Sequence, residues 1–572
     1  MSNVNVLFNG VIDDAARFVE KNQLLQKALW EKVIAVFDYR KFQEGWHGEY
    51  WGKLMRGGCI VYKYTKSEEL YSMLTYAVKG LIACRDNEGR ITAYDKDYEF
   101  YDWDVWCRKY VMYGLMYYME ICKDEAFKNE ILSALMKHAD YIITNIGIGE
   151  GKKKITETSD YWLGVNSSSI LRPYVMLYKL TGKKLYLSFA EYIISQGGIR
   201  GGNLIEIASE DKLAPFQYPE VKAYETMSFF EGVFEYATLV NNQDLIDACI
   251  KFGNKILETD ITLIGATGCY DELFDNSTKK QVIYTTSHMQ ETCVTVTFME
   301  YMCRLLEYTG DGKYADAIEV SFYNAFLGAI NRGYGQNDGL HFDSYSPILN
   351  NRRGWLIGGR QKLLDGSYYG CCAAIGPAGF GAVTSMAAVY VDDCLRISFY
   401  EDGEINFGSN KLCVKTNYPF DGKITIYVER AEEAFNLALR IPSWCKSSDV
   451  TLNGVKFDYE LDKGYLVIDK CLETSNEIVL SLEMPFVVKD SSCFDSEVND
   501  YFAITRGPLV FATEDYGEYN FVPLATDSCI FDKMSISTVI KTEEGKEIKL
   551  SNYATVGLDW KKNMTVWLKQ KN

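Results

Sequence analysis

Four short turn-like tetrads, each closing an apolar helical stretch and preceding another amphipathic run, constrain this chain more than any other feature. They are Ile121-Cys122-Lys123-Asp124, Leu180-Thr181-Gly182-Lys183, Val240-Asn241-Asn242-Gln243 and Tyr308-Thr309-Gly310-Asp311. Their second positions lie 59, 60 and 68 residues apart, long enough for a pair of helices plus loops in each unit. Helical hairpins repeated at that period either stack as an open solenoid or close into a double ring. Long irregular inserts between repeats, such as Gly198 to Gln217, favour the ring, with functional loops over one mouth.

Past about Val391 the periodicity changes from helical to strand-like. Leu395 to Tyr400, Lys423 to Val428 and Tyr465 to Ile468 alternate, with turns at Asp402-Gly403, Asp421-Gly422 and Asn453-Gly454, which predicts an antiparallel sandwich. A further β-rich stretch runs from about Val487 to the end. The predicted division is a helical domain over 1–391, a β-sandwich over 392–486 and a small β-rich domain over 487–572. No low-complexity linker separates them, so the modules should pack on one another.

The balance of 60 basic against 78 acidic residues, a formal net charge of -18, argues against phosphate backbones and anionic membrane surfaces as partners. The first residues show neither a basic start nor a long apolar run, and no stretch is long enough to cross a bilayer. Sixteen cysteines without the spacing of a small disulfide framework suit a reducing compartment, so a cytoplasmic location is expected. Only four histidines occur, which leaves few candidates for a histidine zinc site or a Ser-His-Asp relay.

The cysteines carry the chemistry instead. Cys371-Cys372, with Glu291-Thr292-Cys293, offer three thiolates and one carboxylate to a single zinc ion. Neighbouring cysteines close a strained ring when oxidised to each other, but they serve well as adjacent metal ligands. A metal-held thiolate is deprotonated at neutral pH and can act as a nucleophile as well as a ligand. Taken alone, the pair could equally be two small buried hydrophobes.

The string Leu439-Arg440-Ile441-Pro442-Ser443-Trp444-Cys445, followed by Leu452-Asn453-Gly454 and Arg506-Gly507-Pro508-Leu509-Val510, resembles the β-domains of glycoside hydrolase family 127, the β-L-arabinofuranosidase type. Upstream, Asn417-Tyr418-Pro419-Phe420-Asp421-Gly422 is similar to the family's Tyr-Pro-Trp-Asp-Gly turn, with Phe420 for the Trp. Glu291-Thr292-Cys293, Asp311 to Asp316 and Tyr323-Asn324 are similar to its helical core. The resemblance covers most of the chain from about residue 90. It implies an (α/α)6 helical toroid followed by antiparallel β-sandwich domains, and a zinc ion held by Glu291, Cys293, Cys371 and Cys372. It also implies Cys371 as nucleophile and Glu272, in Asp271-Glu272-Leu273-Phe274, as acid/base. The 19 residues from Glu272 to Glu291 are somewhat more than the family pattern.

The same resemblance points to Trp103, Asp104, Trp106, Arg108 and Lys109, where typical members offer a histidine region, and to Tyr224, Glu225, His288 and Tyr345 as substrate-binding. Read from the residues alone, each has a plainer role. Glu272 could be a solvated loop carboxylate, Trp106 core, Arg108 and Lys109 surface charge, and His288 a local hydrogen-bonder; Glu225 could pair with Lys222. The expected activity is retaining, exo-acting release of terminal β-L-arabinofuranose or a related furanose from a small carbohydrate or oligosaccharide. The alternatives are a sugar epimerase or lyase on the same ring, and a non-catalytic carbohydrate-binding protein with structural zinc. No nucleic acid or membrane partner is expected, and a homodimer is left open.

Overall fold

The tetrads recur because each carries a helix stop, a helix restart or both. Gly182, Asn241 and Gly310 sit in the left-handed region at φ +67°, +56° and +65°, where Gly and Asn end a helix with least strain. The side chains of Asp124, Asn242 and Asp311 then accept from the backbone N–H of Phe127, Leu245 and Lys313, capping the next helix. Lys66 and Ser67 make the same kind of turn earlier, with Ser67 capping Leu70 N–H.

These turns join inner helices to outer ones. Glu49–Thr65, Asp104–Met119, Leu171–Thr181, Ala223–Val240 and Thr292–Thr309 lead into Glu68–Ala83, Glu125–Asn145, Lys184–Ser195, Gln243–Thr259 and Gly312–Ser321. The inner helix Asp104–Met119 is buried on every side, whereas Gln243–Thr259 buries one face only. A broken helical run, Cys371–Ile375, Gly376–Gly379 and Phe380–Thr384, packs between Glu49–Thr65 and Thr292–Thr309 and closes the inner ring. The computed structural model describes residues 4–270, 272–283, 289–332, 341–355, 358–498, 500–515, 517–519, 530–531 and 536–570. Among them, no helix is long and apolar enough to cross a membrane.

The sandwich that follows differs from the expectation in two ways. Its larger sheet begins with Val4–Phe8, paired antiparallel to Gly403–Phe407, so the chain's first strand belongs to the sandwich and the helices start only at Val11. That strand buries Val6 and Phe8 in alternation, a pattern too short to stand out in sequence. In the second sheet, Phe435–Arg440 runs parallel to Cys394–Ile397, so the sheet is mixed. Phe407 meets Phe435 edge-on at 4.9 Å, joining the two sheets across their shared core. A third sheet, built from strands between Phe486 and Gln570, packs beyond them.

The motifs that carried the family resemblance join these modules. Buried Glu319, on the outer helix Gly312–Ser321, accepts from Arg440, Tyr418 OH and Trp444 Nε1, while Asp316 accepts from Arg440 and Ser443 N–H. Asn324 donates to Pro508 O and accepts from Val510 N–H, both at 2.9 Å. A buried ion pair held by several hydrogen bonds fixes orientation more than it adds stability. These residues therefore fix how ring and sheets dock.

Candidate active site

The inner helices present their N-terminal ends to one mouth of the ring. Glu291 is the residue before the helix Thr292–Thr309, Cys293 lies in its first turn, and Cys371 and Cys372 open the closing helical run. Glu49 begins Glu49–Thr65, Glu225 lies in the first turn of Ala223–Val240, and Trp103 and Trp106 flank the start of Asp104–Met119. Helix N-termini favour anionic groups, which suits a gathering of thiolates and carboxylates.

Glu291 Oε1 lies 3.4 Å from both Cys371 Sγ and Cys372 Sγ; Cys372 Sγ lies 3.5 Å from Cys293 Sγ and 3.7 Å from Cys371 Sγ. The four ligand atoms fall within 4.8 Å of one another. With metal–sulfur bonds of about 2.3 Å, the edge of a tetrahedral zinc site is about 3.8 Å, so the cluster has the dimensions of a metal cage. Glu291 Oε2 is buried without a hydrogen-bond partner among the described residues, which also fits a ligating carboxylate. These residues could hold a metal ion.

The cluster is held from several sides. Thr292 N–H donates to Ser344 O at 2.9 Å, and Glu291 bridges Tyr345 in antiparallel register. Cys371 N–H donates to Gly359 O at 2.9 Å; Gly359 has φ +58°, and a Cβ there would lie 2.0 Å from Cys371 Sγ, so only glycine fits. Hydrogen bonds from Cys293 and Cys372, then the Lys53 charge, hold the Cys371 thiol well below the usual range. Burial pushes Cys293 and Cys372 the other way, and burial, Glu272 and Cys371 raise Glu291.

A cavity of about 270 Å³ opens on this cluster, lined by Glu291 and Cys371 but not by Cys293 or Cys372. Cys371 is 7% exposed and the other two thiols are fully buried. Glu272 enters from a loop that pairs with the start of Ala223–Val240: Ala223 N–H donates to Glu272 O at 3.1 Å, and Lys222 bridges Leu273. Glu272 has φ +67°, a conformation that is strained for a side-chain-bearing residue and is often stored at functional sites. Its carboxylate pairs with Lys222 and accepts from Tyr345 OH at 3.1 Å. Read from the residues alone Glu225 could pair with Lys222; in the structure the Lys222 ammonium makes its hydrogen bond to Glu272.

Trp103 and Trp106 line the cavity, as do Tyr224 and Glu225. Asp104, Arg108 and Lys109 are not brought to it. Two residues along a helix turn the side chain about 200°, so Arg108 faces away from Trp106. Asp104 accepts from Thr92 Oγ1, Phe100 N–H and Arg108 Nε; Arg108 also binds Glu99, and both are fully buried. Lys109 donates to Ser169 Oγ at 3.0 Å and lies 3.5 Å from the Trp106 ring centroid, backing that wall. Tyr345 reaches the site through Glu272. His288 lies outside the described residues, and none of His47, His138 and His341 lines the cavity.

Trp46, Glu49, Lys53, Tyr161, Trp162 and Lys222 also line the cavity, and sequence reasoning did not single them out as site residues. Glu49 accepts from Lys53 Nζ at 2.9 Å and from Trp106 Nε1. An i,i+4 Glu–Lys pair inside a helix buried all round was the available signal for those two. A larger cavity, about 490 Å³ between Val4, Arg172, Glu300 and Arg304, contains none of the cluster residues.

Burial pushes the Glu225 carboxyl up to about 7, with Glu272 adding to the shift and Lys222 and Lys109 opposing it. The folded protein thus keeps this proton to higher pH than the unfolded chain. Where the native state binds the extra proton, stability falls as pH rises, here from about 4.5 to about 7 and by on the order of 3 kcal/mol. Glu225→Gln should flatten denaturant midpoints measured across that window. An unchanged slope would show that Glu225 does not titrate there.

The description "Beta-L-arabinofuranosidase, GH127 catalytic domain" matches residues 2–337, and "Beta-L-arabinofuranosidase, GH127 middle domain" matches 394–484. A curated non-reducing end beta-L-arabinofuranosidase from Bifidobacterium longum subsp. longum is 23% identical over 442 residues, 70% of this chain; the match spans 65% of that relative's length. A solved GH127 beta-L-arabinofuranosidase from Geobacillus stearothermophilus T6 superposes with a TM-score of 0.77 at 19% identity, with 100% of both chains covered. A second solved structure, a GH127 beta-arabinofuranosidase, gives 0.75 at 17% identity over 99% of this chain and 96% of the other. At these identities the structural likeness is one of fold, a helical ring followed by β domains.

Proposed function

Because this chain belongs to glycoside hydrolase family 127, we propose that it is a retaining, exo-acting hydrolase that releases terminal β-L-arabinofuranose, or a related furanose, from oligosaccharides. The observation that carries this reading is that Cys371, alone of three clustered thiols, opens on a cavity that Glu272 also lines. In the proposed first step Glu272 gives its proton to the leaving glycosidic oxygen while Cys371 Sγ attacks the anomeric carbon; a C–S bond forms as the C–O bond breaks. In the second, Glu272 takes a proton from the water that displaces sulfur, so configuration is inverted twice and retained. Zinc, with Glu291, Cys293, Cys371 and Cys372 as its ligands, would keep the attacking sulfur ionised and, by sharing its charge, make it a better leaving group.

The cavity's other residues support recognition of one sugar ring. Trp46, Trp103, Trp106, Tyr161 and Trp162 offer ring faces, and Glu49 and Glu225 offer acceptors for hydroxyl groups. Lys222 and Tyr345 OH fix the Glu272 carboxyl. The test is incubation with aryl β-L-arabinofuranosides and related furanosides, with NMR of the first-formed anomer and metal analysis of the same protein. Release with retained configuration, from a protein carrying about one zinc per chain, is expected. Unchanged substrate across the panel, from metal-loaded protein, would favour a carbohydrate-binding role with structural zinc.

A further inference from the structure

Lys53 is fully buried, on the second turn of the inner helix Glu49–Thr65, and projects toward the cysteine cluster. Its Nζ lies 3.9 Å from Cys293 Sγ and 2.9 Å from Glu49 Oε1, and it faces the rings of Tyr224 at 4.8 Å and Tyr110 at 5.1 Å. Burying an ammonium this deeply is costly unless anionic partners surround it. Glu49 supplies one such partner. The second is a sulfur atom of the cluster, Cys293 Sγ.

The charge of the cluster explains the arrangement. Three thiolates and one carboxylate around a divalent ion carry a net charge of minus two in a dry, low-dielectric site. Cys293 is fully buried and does not line the cavity, so its sulfur is screened from solvent and from a sugar hydroxyl there. An N–H donor beside a ligating sulfur withdraws charge from it, and such outer partners tune both metal affinity and the remaining ligands. Among the described residues, Lys53 is the cation with a contact to Cys293 Sγ, while the Lys222 ammonium pairs with Glu272.

Building on the zinc reading above, we infer that Lys53 is a positioning residue for the metal centre: its ammonium donates to Cys293 Sγ, offsets the excess negative charge, and thereby leaves Cys371 the more electron-rich thiolate toward the sugar. Glu49 orients Lys53, and Trp106 Nε1 in turn orients Glu49.

The experiment uses the full chain loaded with Co2+, whose sulfur-to-metal charge-transfer band reports directly on the ligating thiolates, together with chelator competition for Zn2+. Lys53→Met is expected to move the cobalt band to lower energy, because a thiolate without its N–H donor is easier to oxidise. It should also weaken zinc binding by about 10- to 100-fold. Lys53→Arg, which keeps a charged donor, should hold both values near those of the unaltered protein. Because Lys53→Met leaves Glu49 buried without its cationic partner, the double variant Glu49→Gln/Lys53→Met is measured as well and should show the same band shift. An unmoved band with zinc affinity within twofold in both variants would overturn the inference, whatever happened to turnover. A wild-type protein that takes up Co2+ with no sulfur charge-transfer band would remove the zinc reading itself, and this inference with it.

Discussion

Replacing Cys371 with serine should lower turnover of an aryl furanoside by at least about a thousandfold, roughly 4 kcal/mol of barrier. A serine hydroxyl is close in size to a thiol, so the closing helical run, which begins at this residue, should keep its packing. What changes is the atom that attacks. A neutral hydroxyl is a far weaker nucleophile than a thiolate, and it is a poor leaving group for the second displacement. Cys371 is also the cluster thiol whose surroundings favour the ionised form, with hydrogen bonds from Cys293 and Cys372 acting first and Lys53 after them. The measurement is kcat on an aryl β-L-arabinofuranoside, with metal content and circular dichroism recorded on the same sample. Full turnover by the serine variant would eliminate Cys371 as nucleophile. A folded but metal-free variant would locate the loss in the cage, and Cys372→Ser, which alters a thiol that does not line the cavity, separates the two effects by its own residual rate.

The second large effect is expected at Glu272 and depends on the leaving group. Glu272→Gln cannot donate a proton, yet it keeps the shape of the side chain and can still accept from Tyr345 OH. For a substrate whose departing oxygen needs protonation, such as an alkyl glycoside or a disaccharide, the rate should fall by about 10²- to 10⁴-fold. For a nitrophenyl furanoside, whose leaving group departs as a stable anion, the bond-breaking step should slow much less, and the intermediate on Cys371 should accumulate and be visible by mass spectrometry. Equal losses on both substrates would show that Glu272 does not act as the acid. Glu225, with Glu49 one of the two cavity carboxyls outside the metal cluster besides Glu272, would then be the next residue to test, since burial holds its proton up to about 7 and its Oε2 has no hydrogen-bond partner among the described residues.

The residues that made the family legible in the sequence are not, for the most part, those of the cavity. Arg440, Tyr418, Trp444, Asn324 and Pro508 meet where the helical ring docks on the sheets, each in a hydrogen bond that crosses between the two. The cavity wall is less legible. Trp46 comes from a loop, Tyr161 and Trp162 from the single short helical turn Tyr161–Gly164, too brief to show periodicity, and Lys53 looks like one more charge on a helix. Asp104 and Arg108 stand beside Trp103 and Trp106 in the sequence, but neighbours along a helix face in different directions. The structure commits that pair to Glu99 and Thr92 instead.

What the chain's order of residues determined by itself was local or nearly so. Stop-and-cap turns set the helical hairpins, alternation set the strands, and two short strings supplied three thiols and a carboxylate of the right chemistry for one metal. Only the tertiary structure decided which of those thiols faces the cavity, which cations accompany them, and that the first strand belongs to the last half of the molecule. The physical reason is distance along the chain. Turns and periodic faces depend on residues a few positions apart, whereas the cavity forms where helix ends from Glu49 to Cys371 meet, and only closure of the ring brings them together.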